Sequence, residues 1–155
     1  MGKTAREIAG EKVDEVIGEL NKALADEWFA YLQYLRAASL VKNPNAAKEL
    51  AEVAKEELEH AEELTERIIQ LGGKPEVDEN QLKEISNCGY ETPSEDTIKS
   101  LKDSIKGEGC AIKVYHRIAM MVKDSDPVTY ELMLHIMGEE MEHEEKFENL
   151  LDWLG

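Results

Sequence analysis

Two glutamate–histidine pairs in this sequence have a spacing that suits metal binding. They are Glu57 with His60, and Glu140 with His143. On an α-helix, residues three apart lie on one face about one turn from each other. A carboxylate oxygen and an imidazole nitrogen placed in this way can bind the same cation. The pairs alone are a weak signal, because glutamate is abundant in this chain.

Two further glutamates give the pairs a repeated setting. Glu27 lies 30 residues before the glutamate of the first pair, and Glu108 lies 32 residues before that of the second. Each of the two is followed seven residues later by one of the five tyrosines, Tyr34 and Tyr115. The two halves of the chain therefore repeat one arrangement of carboxylates, imidazole and phenol.

All six candidate ligands fall inside apolar stripes at helical spacing, one stripe for each of four helical segments. A lone carboxylate in a core costs free energy unless a proton or a cation neutralises it. Two divalent cations balance four carboxylates in formal charge. One Glu from each of two helices and a Glu-x-x-His from each of the other two is the ligand set of a di-iron carboxylate site. The repeat therefore predicts two metal ions held at the middle of a helical bundle.

Prolines and glycines mark the ends of four predicted long helices. The predicted helices run from Thr4 to Val41, from Asn43-Pro44-Asn45 to Leu71-Gly72-Gly73, from Ser94 to Lys123, and from Asp126-Pro127 nearly to Gly155. The connections 42–45 and 124–126 are short, so each flanking pair should form an antiparallel hairpin. The connection 72–94 can cross the length of a bundle, and residues 78–86 can form a short helix within it.

This pattern predicts an all-α fold, namely a ferritin-like antiparallel four-helix bundle. Its one long crossover carries a short helix. The length of 155 residues suits a single domain over residues 1–155, with room for a substantial core.

The charge of the chain counts against several classes of partner. There are 34 acidic and 18 basic side chains, for a net charge of −16. Phosphate binding depends on clustered Lys and Arg, whereas the N-terminus has only Lys3, Arg6 and Lys12, so we expect no nucleic-acid partner. No apolar run suits a membrane span or a signal peptide, and two cysteines are too few for a secreted disulfide scaffold. We therefore expect a cytoplasmic protein.

With these motifs, the sequence resembles the ferritin-like superfamily of di-iron carboxylate proteins, and its ligand pattern resembles the bacterioferritin-type ferroxidase site. The resemblance implies a role for each residue: bridging carboxylates Glu57 and Glu140, terminal carboxylates Glu27 and Glu108, and one imidazole per iron from His60 and His143. It further implies that Glu139 bonds His60 and that Glu56 bonds His143, which would orient the rings. Tyr34 and Tyr115 could bond a ligand carboxylate or supply an electron, and we favour the bond.

Three details indicate which members of the superfamily this sequence resembles most. Bacterioferritins carry a haem-ligand methionine after the first bridging glutamate, whereas this chain has Leu58, so no haem is expected. The chain ends at Trp153-Leu154-Gly155 without the fifth helix of 24-subunit ferritins, which resembles Dps-type dodecamers. Cys88 and Cys110 add a resemblance to the Dps-like thioferritins, in which a cysteine pair lies beside the di-iron site. The two thiols could form a disulfide that gates the site or accepts electrons, or they could be ordinary buried thiols.

The resemblance implies a ferroxidase with two iron ions per subunit. It would oxidise Fe(II) with H₂O₂ or O₂, store ferric iron in a homo-oligomeric shell of 12 subunits, and so protect against oxidative stress. One alternative is a rubrerythrin-like di-iron peroxidase, which the lack of paired C-x-x-C motifs disfavours. The other is a non-enzymatic, acidic helical interaction protein in which the Glu and His residues are structural.

Overall fold

The computed structural model describes residues 2–155, and the regular structure in this range is helical. The helices are α1 (Lys3–Ala9), α2 (Val13–Leu40), α3 (Pro44–Gln70), α4 (Glu79–Ile85), α5 (Thr97–Val122) and α6 (Pro127–Leu154). Helix α2 packs mainly on α3, and α5 packs mainly on α6. We call α2 and α3 the first hairpin, and α5 and α6 the second. Helix α4 lies in the crossover between them, so the predicted four-helix architecture is confirmed.

Local capping explains where both hairpins turn. Asn43 caps α3, since its side chain accepts hydrogen bonds from the backbone N–H groups of Asn45 and Ala46. Asp126 caps α6 in the same way through the N–H of Thr129. A proline follows each cap at the first helical position, where it has no N–H bond to lose. These signals are local, and for this reason the sequence located both turns.

The structure differs from two of the predicted long helices. The first long helix is divided, because a 3₁₀ turn at Gly10–Lys12 separates α1 from α2. Gly10 has a φ of 79°, a left-handed conformation that a helix cannot contain and that glycine adopts without a steric penalty. The third long helix begins at Thr97, three residues after Ser94. Asp96 is its cap, and it accepts a hydrogen bond from the N–H of Lys99.

Two apolar clusters fill the bundle and leave a layer between them. One contains Leu24, Ala61, Val114 and Ile136, and the other contains Tyr34, Ala54, Leu101 and Phe147. Burying a leucine or phenylalanine side chain contributes roughly 2 kcal/mol, so each cluster is a substantial source of stability. Along each long helix, the candidate ligands lie between a residue of one cluster and a residue of the other. The apolar layers thereby hold the polar layer at a fixed height.

A buried ion pair joins the hairpins at one end of the bundle. Nη2 of Arg67 donates to both carboxylate oxygens of Asp126, at 2.9 and 3.0 Å, and Nε donates to Oγ1 of Thr129 at 2.9 Å. Burial alone would raise the pKa of Asp126. The hydrogen bonds from Thr129 and Arg67 outweigh this effect, and the pKa is lowered below its ordinary value.

The helices described above all lie within residues 2–155. None of the helices in that range combines the length and the apolar character needed to cross a membrane.

Candidate metal centre

The structure brings the six candidate ligands together in the polar layer between the two apolar clusters. All six side chains are at most 2% exposed: Glu27, Glu57, His60, Glu108, Glu140 and His143. Each of the four long helices contributes its own residue or pair, and the helical spacing turns every one of them inward.

The ligand atoms fall into two overlapping groups, and within each group they lie within 4.8 Å of one another. One group consists of Glu27, Glu57, His60 and Glu140, and the other of Glu57, Glu108, Glu140 and His143. Glu57 and Glu140 belong to both. This is the arrangement required of two carboxylates that bridge a pair of cations.

Both histidines present Nδ1 to the centre of the layer. Nδ1 of His60 lies 3.1 Å from Glu57, 3.5 Å from Glu140 and 3.6 Å from Glu27. Nδ1 of His143 lies 3.1 Å from Glu140 and 3.5 Å from Glu57. The two rings are stacked, with centroids 5.9 Å apart. Each imidazole therefore faces one of the two groups of oxygens.

The outer nitrogen of each histidine meets a carboxylate of the opposite hairpin. Nε2 of His60 lies 2.5 Å from Glu139, and Nε2 of His143 lies 2.6 Å from Glu56. A neutral imidazole that donates its Nε2 proton to a carboxylate keeps the lone pair of Nδ1 free. The outer carboxylates thus favour the tautomer that can ligate a cation in the centre.

Two buried tyrosines bond the remaining glutamates across the hairpins. Tyr115 donates to Glu27, and Tyr34 donates to Glu108. Burial, together with the negative charge of the glutamates, raises the pKa of both phenols well above the ordinary value. The tyrosines consequently keep their protons and act as donors that fix the orientation of each carboxylate.

The electrostatics of the centre fit a pair of divalent cations. Burial and the charges of Glu27 and Glu108 raise the pKa of Glu57 to about 8, and burial and the charge of Glu57 raise the pKa of Glu140 to about 6. Oε2 of Glu27 is buried and has no hydrogen-bond partner among the described residues. Four carboxylates and two imidazoles are donors that suit iron, manganese or zinc. Without a cation, protons on the imidazoles share in balancing this charge, because hydrogen bonds to the surrounding carboxylates raise the pKa of His60 and His143 above the ordinary value despite burial.

A cavity of about 200 Å³ reaches the centre from the side of the crossover. Its inner wall includes the four central glutamates, and its outer wall includes Asp26, Cys88, Gly89, Lys106 and Cys110. Cys88 and Cys110 form a disulfide there, with their Cα atoms 6.0 Å apart. The sequence left the state of these thiols open, and the structure places them as a bonded pair beside the cavity.

Sequence reasoning missed Asp26, the residue before the first candidate ligand. It is 8% exposed, and its carboxylate accepts three hydrogen bonds from residues 86–88 of the crossover. Burial raises its pKa, while these bonds oppose the rise. The available signal was an aspartate directly before a candidate ligand. Its hydrogen-bond partners could not be predicted, because they lie about 60 residues away in the chain.

The fold and the centre define a class of protein, a four-helix bundle with a buried pair of carboxylate–histidine groups. Residues 17–154 match the family model of the ferritin-like domain. The chain is 38% identical over 151 residues to the DNA protection during starvation protein of Pyrococcus furiosus, covering 94% of this chain and 81% of that one. This chain belongs to the ferritin-like domain family.

Two solved structures are informative neighbours. The bacterioferritin-related protein of Bacteroides fragilis, a dodecameric thioferritin, superimposes with a TM-score of 0.94 at 34% identity, over 98% of this chain and 94% of that one. The bacterioferritin of Desulfovibrio desulfuricans superimposes with a TM-score of 0.80 at 26% identity, over 93% and 82%. The predicted resemblance to Dps-like and thioferritin proteins is thereby confirmed.

Proposed function

We propose that this protein is a ferroxidase that oxidises Fe(II) at the centre and stores the ferric product. The observation that carries the proposal is the pair of overlapping ligand groups, which share Glu57 and Glu140. The neighbour from Desulfovibrio desulfuricans is a bacterioferritin described with a diiron site in different catalytic states. The family relationship thus agrees with iron as the metal for this set of ligands.

In this proposal the six central residues bind two Fe(II) ions as substrate. Glu57 and Glu140 would bind both ions, whereas Glu27 would bind one ion and Glu108 the other. Two Fe(II) ions supply two electrons, which with two protons reduce one H₂O₂ to two waters; O₂ is the other candidate oxidant. Removing both electrons in one event avoids release of hydroxyl radical, which supports a role in protection against oxidative stress.

The surrounding residues keep the ligands in place during turnover. Glu139 and Glu56 hold the histidine rings through Nε2, and Tyr34 and Tyr115 hold the terminal carboxylates. These groups are fixed before the metal arrives, so little reorganisation is needed when the charge of the iron rises. The ligand side chains are at most 2% exposed, so bulk water has limited access to the reacting ions.

We further propose a shell of 12 subunits as the store, built from one domain over residues 1–155 and located in the cytoplasm. The thioferritin neighbour from Bacteroides fragilis is dodecameric. Leu32 and Leu35 on α2 are 48% and 50% exposed, which leaves apolar area that contact with another subunit would cover.

The test is Fe(II) oxidation by the purified protein, with loss measured for a Glu57→Ala/Glu140→Ala double variant. The expected results are two Fe(II) bound per chain, oxidation at least 100-fold faster than in the double variant, and a native mass near 12 chains with many irons per chain. A Glu62→Gln/Glu142→Gln variant is the matched control, since both residues are exposed on the same two helices. Equal rates in the double variant and the wild type would sink the ferroxidase assignment. A dimer without an iron store would instead support the peroxidase alternative.

A further inference from the structure

The turn at residues 86–89 forms part of the outer wall of the cavity. It follows α4 and contains Cys88, and three of its residues line the cavity, Asn87, Cys88 and Gly89. Within the turn, the N–H of Gly89 donates to Oγ of Ser86 at 2.9 Å. The turn lies in the crossover outside the regular helices, so its position depends on links to the bundle.

The first link is Asp26 on α2. Oδ1 accepts from Oγ of Ser86 at 2.7 Å and from the backbone N–H of Cys88 at 2.8 Å, and Oδ2 accepts from Nδ2 of Asn87 at 2.8 Å. Both carboxylate oxygens act only as acceptors, which suits an ionised group. One side chain thus binds three successive residues of the turn.

The second link is the disulfide between Cys88 and Cys110, which joins the turn to α5. The two links end on different helices and meet at Cys88, one at its backbone and one at its sulfur. The bond from the N–H of Cys88 to Asp26 does not run through the sulfur, so breaking the disulfide does not by itself remove it.

We propose that Asp26 is the positioning residue of a reversible thiol–disulfide pair, holding Cys88 beside Cys110 when the pair is reduced. The cavity wall then stays in place in both redox states, and the disulfide re-forms readily. The chemistry is a two-electron exchange with an external dithiol. A thiolate of the dithiol attacks one sulfur, the Cys88–Cys110 bond breaks, and the dithiol leaves as its own disulfide while both cysteines gain a proton.

The physical basis is the entropy of closing the loop between the two cysteines. They are 22 residues apart in sequence, so a free segment would spend little time with its sulfurs in contact. The hydrogen bonds to Asp26 hold Cys88 beside Cys110 before the disulfide forms, so less entropy is lost on closing the loop. They thereby raise the effective concentration of one thiol at the other. A higher effective concentration shifts the equilibrium toward the disulfide.

Other contacts hold neighbouring parts of the crossover but do not replace Asp26 at Cys88. Nη2 of Arg117 donates a hydrogen bond of 3.4 Å to Oδ1 of Asn87, and this bond is exposed to solvent. Tyr90 packs edge-on against Phe29, with ring centroids 6.0 Å apart. Asp26 is the side chain that bonds the N–H of Cys88 itself. Its removal should therefore act on the cysteine pair more than on the rest of the crossover.

The main experiment measures the thiol–disulfide equilibrium of the metal-free protein in buffers of reduced and oxidised dithiothreitol. Asp26→Ala removes all three acceptor bonds to the turn, and it should make the disulfide about tenfold easier to reduce. For a two-electron couple, tenfold corresponds to about 30 mV. Ser86→Ala removes one of the three bonds to Asp26, together with the bond that Ser86 accepts from the N–H of Gly89, and should give roughly a threefold change.

Asp103→Ala is the matched control. Asp103 lines the same cavity, but its carboxylate pairs with Lys99 on its own helix at 2.5 Å. We expect its equilibrium to stay within twofold of the wild type. An unchanged equilibrium in both Asp26→Ala and Ser86→Ala, or an equal shift in Asp103→Ala, would overturn the proposal.

A second readout is hydrogen exchange of the Cys88 amide. In the oxidised state it should be protected in wild type and Asp26→Ala alike, whereas in the reduced state protection should fall at least tenfold in Asp26→Ala only. Reduced wild type that loses the same protection would contradict the proposal. Neither experiment uses iron, so both outcomes are independent of the ferroxidase assignment.

Discussion

The two hairpins present the same chemistry to the centre of the bundle and different chemistry to its outside. Inside, Glu27, Glu57 and His60 of the first hairpin correspond to Glu108, Glu140 and His143 of the second. Tyr34 and Tyr115 occupy matching positions and bond across the hairpins. This symmetry agrees with the proposed function, in which two similar cation positions would need two similar sets of donors.

At the outside of the bundle the two hairpins differ, beginning with the residue before Glu27 and the residue before Glu108. The first hairpin has Asp26, which bonds the crossover, and the second has Gly107, which opens onto the cavity. The outer carboxylates also differ. Glu56 faces Lys146 at 3.8 Å, whereas Glu139 faces His135 at 3.7 Å. Only one side of the bundle is covered by the crossover, so the residues that govern access are not duplicated.

The largest expected effect tests the inner symmetry. Glu27→Gln and Glu108→Gln each remove one terminal carboxylate, and each should lower the number of tightly bound Zn²⁺ ions from two to about one per chain. Zn²⁺ is redox-silent, so calorimetry or native mass spectrometry measures binding alone. Equal losses in the two variants would establish equivalent positions, and loss of both ions from only one variant would show that the positions are unequal.

The turns of the hairpins should differ in their contribution to stability. Asp126→Ala breaks a buried ion pair and leaves Arg67 uncompensated, which should cost about 3–5 kcal/mol. Asn43→Ala removes a partly exposed cap and should cost about 1 kcal/mol. Urea unfolding of the metal-free protein gives both values. Similar losses in the two variants would contradict the expected larger contribution of the ion pair to the unfolding free energy.

The same ion pair predicts a dependence on pH. Because the pKa of Asp126 is lowered in the folded state, its contribution is complete above the ordinary value of 3.8 and is lost as the pH falls through the lowered pKa. The difference in unfolding free energy between wild type and Asp126→Asn should therefore be constant near neutral pH and shrink below about pH 4. A difference that grows on acidification would refute this sign.

The two tyrosines should be interchangeable in their effect. Tyr34→Phe and Tyr115→Phe each remove one hydrogen bond to a buried glutamate, and each should cost about 1–2 kcal/mol of unfolding free energy in the metal-free protein. Thermal unfolding with and without Zn²⁺ measures the loss and the stabilisation by metal. Clearly different losses of unfolding free energy in the two variants would show that the difference between the hairpins at the outside of the bundle extends to the ligands.

The smallest expected effect concerns Gly107. A Cβ atom at this position would meet the hydroxyl of Tyr34 at 3.8 Å, an ordinary contact, so the side chain of alanine fits. Gly107→Ala should stabilise α5 by about 0.5–1 kcal/mol, the difference in helix propensity. Thermal unfolding checks the gain, and a loss of stability would show that the open position is needed by the fold.

The sequence by itself determined the helices, their inward faces and the six candidate ligands of the centre. Spacing of three, four and seven residues fixes which side chains share a helical face, so Glu57 and His60 could be placed together without a structure. Proline and cap residues located both hairpin turns. The conformation of Gly10 was not predicted, because a helical pattern continues across it and a single glycine is compatible with a helix.

Only the tertiary structure decided what surrounds the ligands. The bonds of Asp26 to residues 86–88 and the pairing of Cys88 with Cys110 join segments that local spacing does not relate. Their formation depends on the path of the crossover over the bundle, which is set by packing of the whole chain. Periodicity determines which residues face the centre, whereas long-range packing determines what covers it.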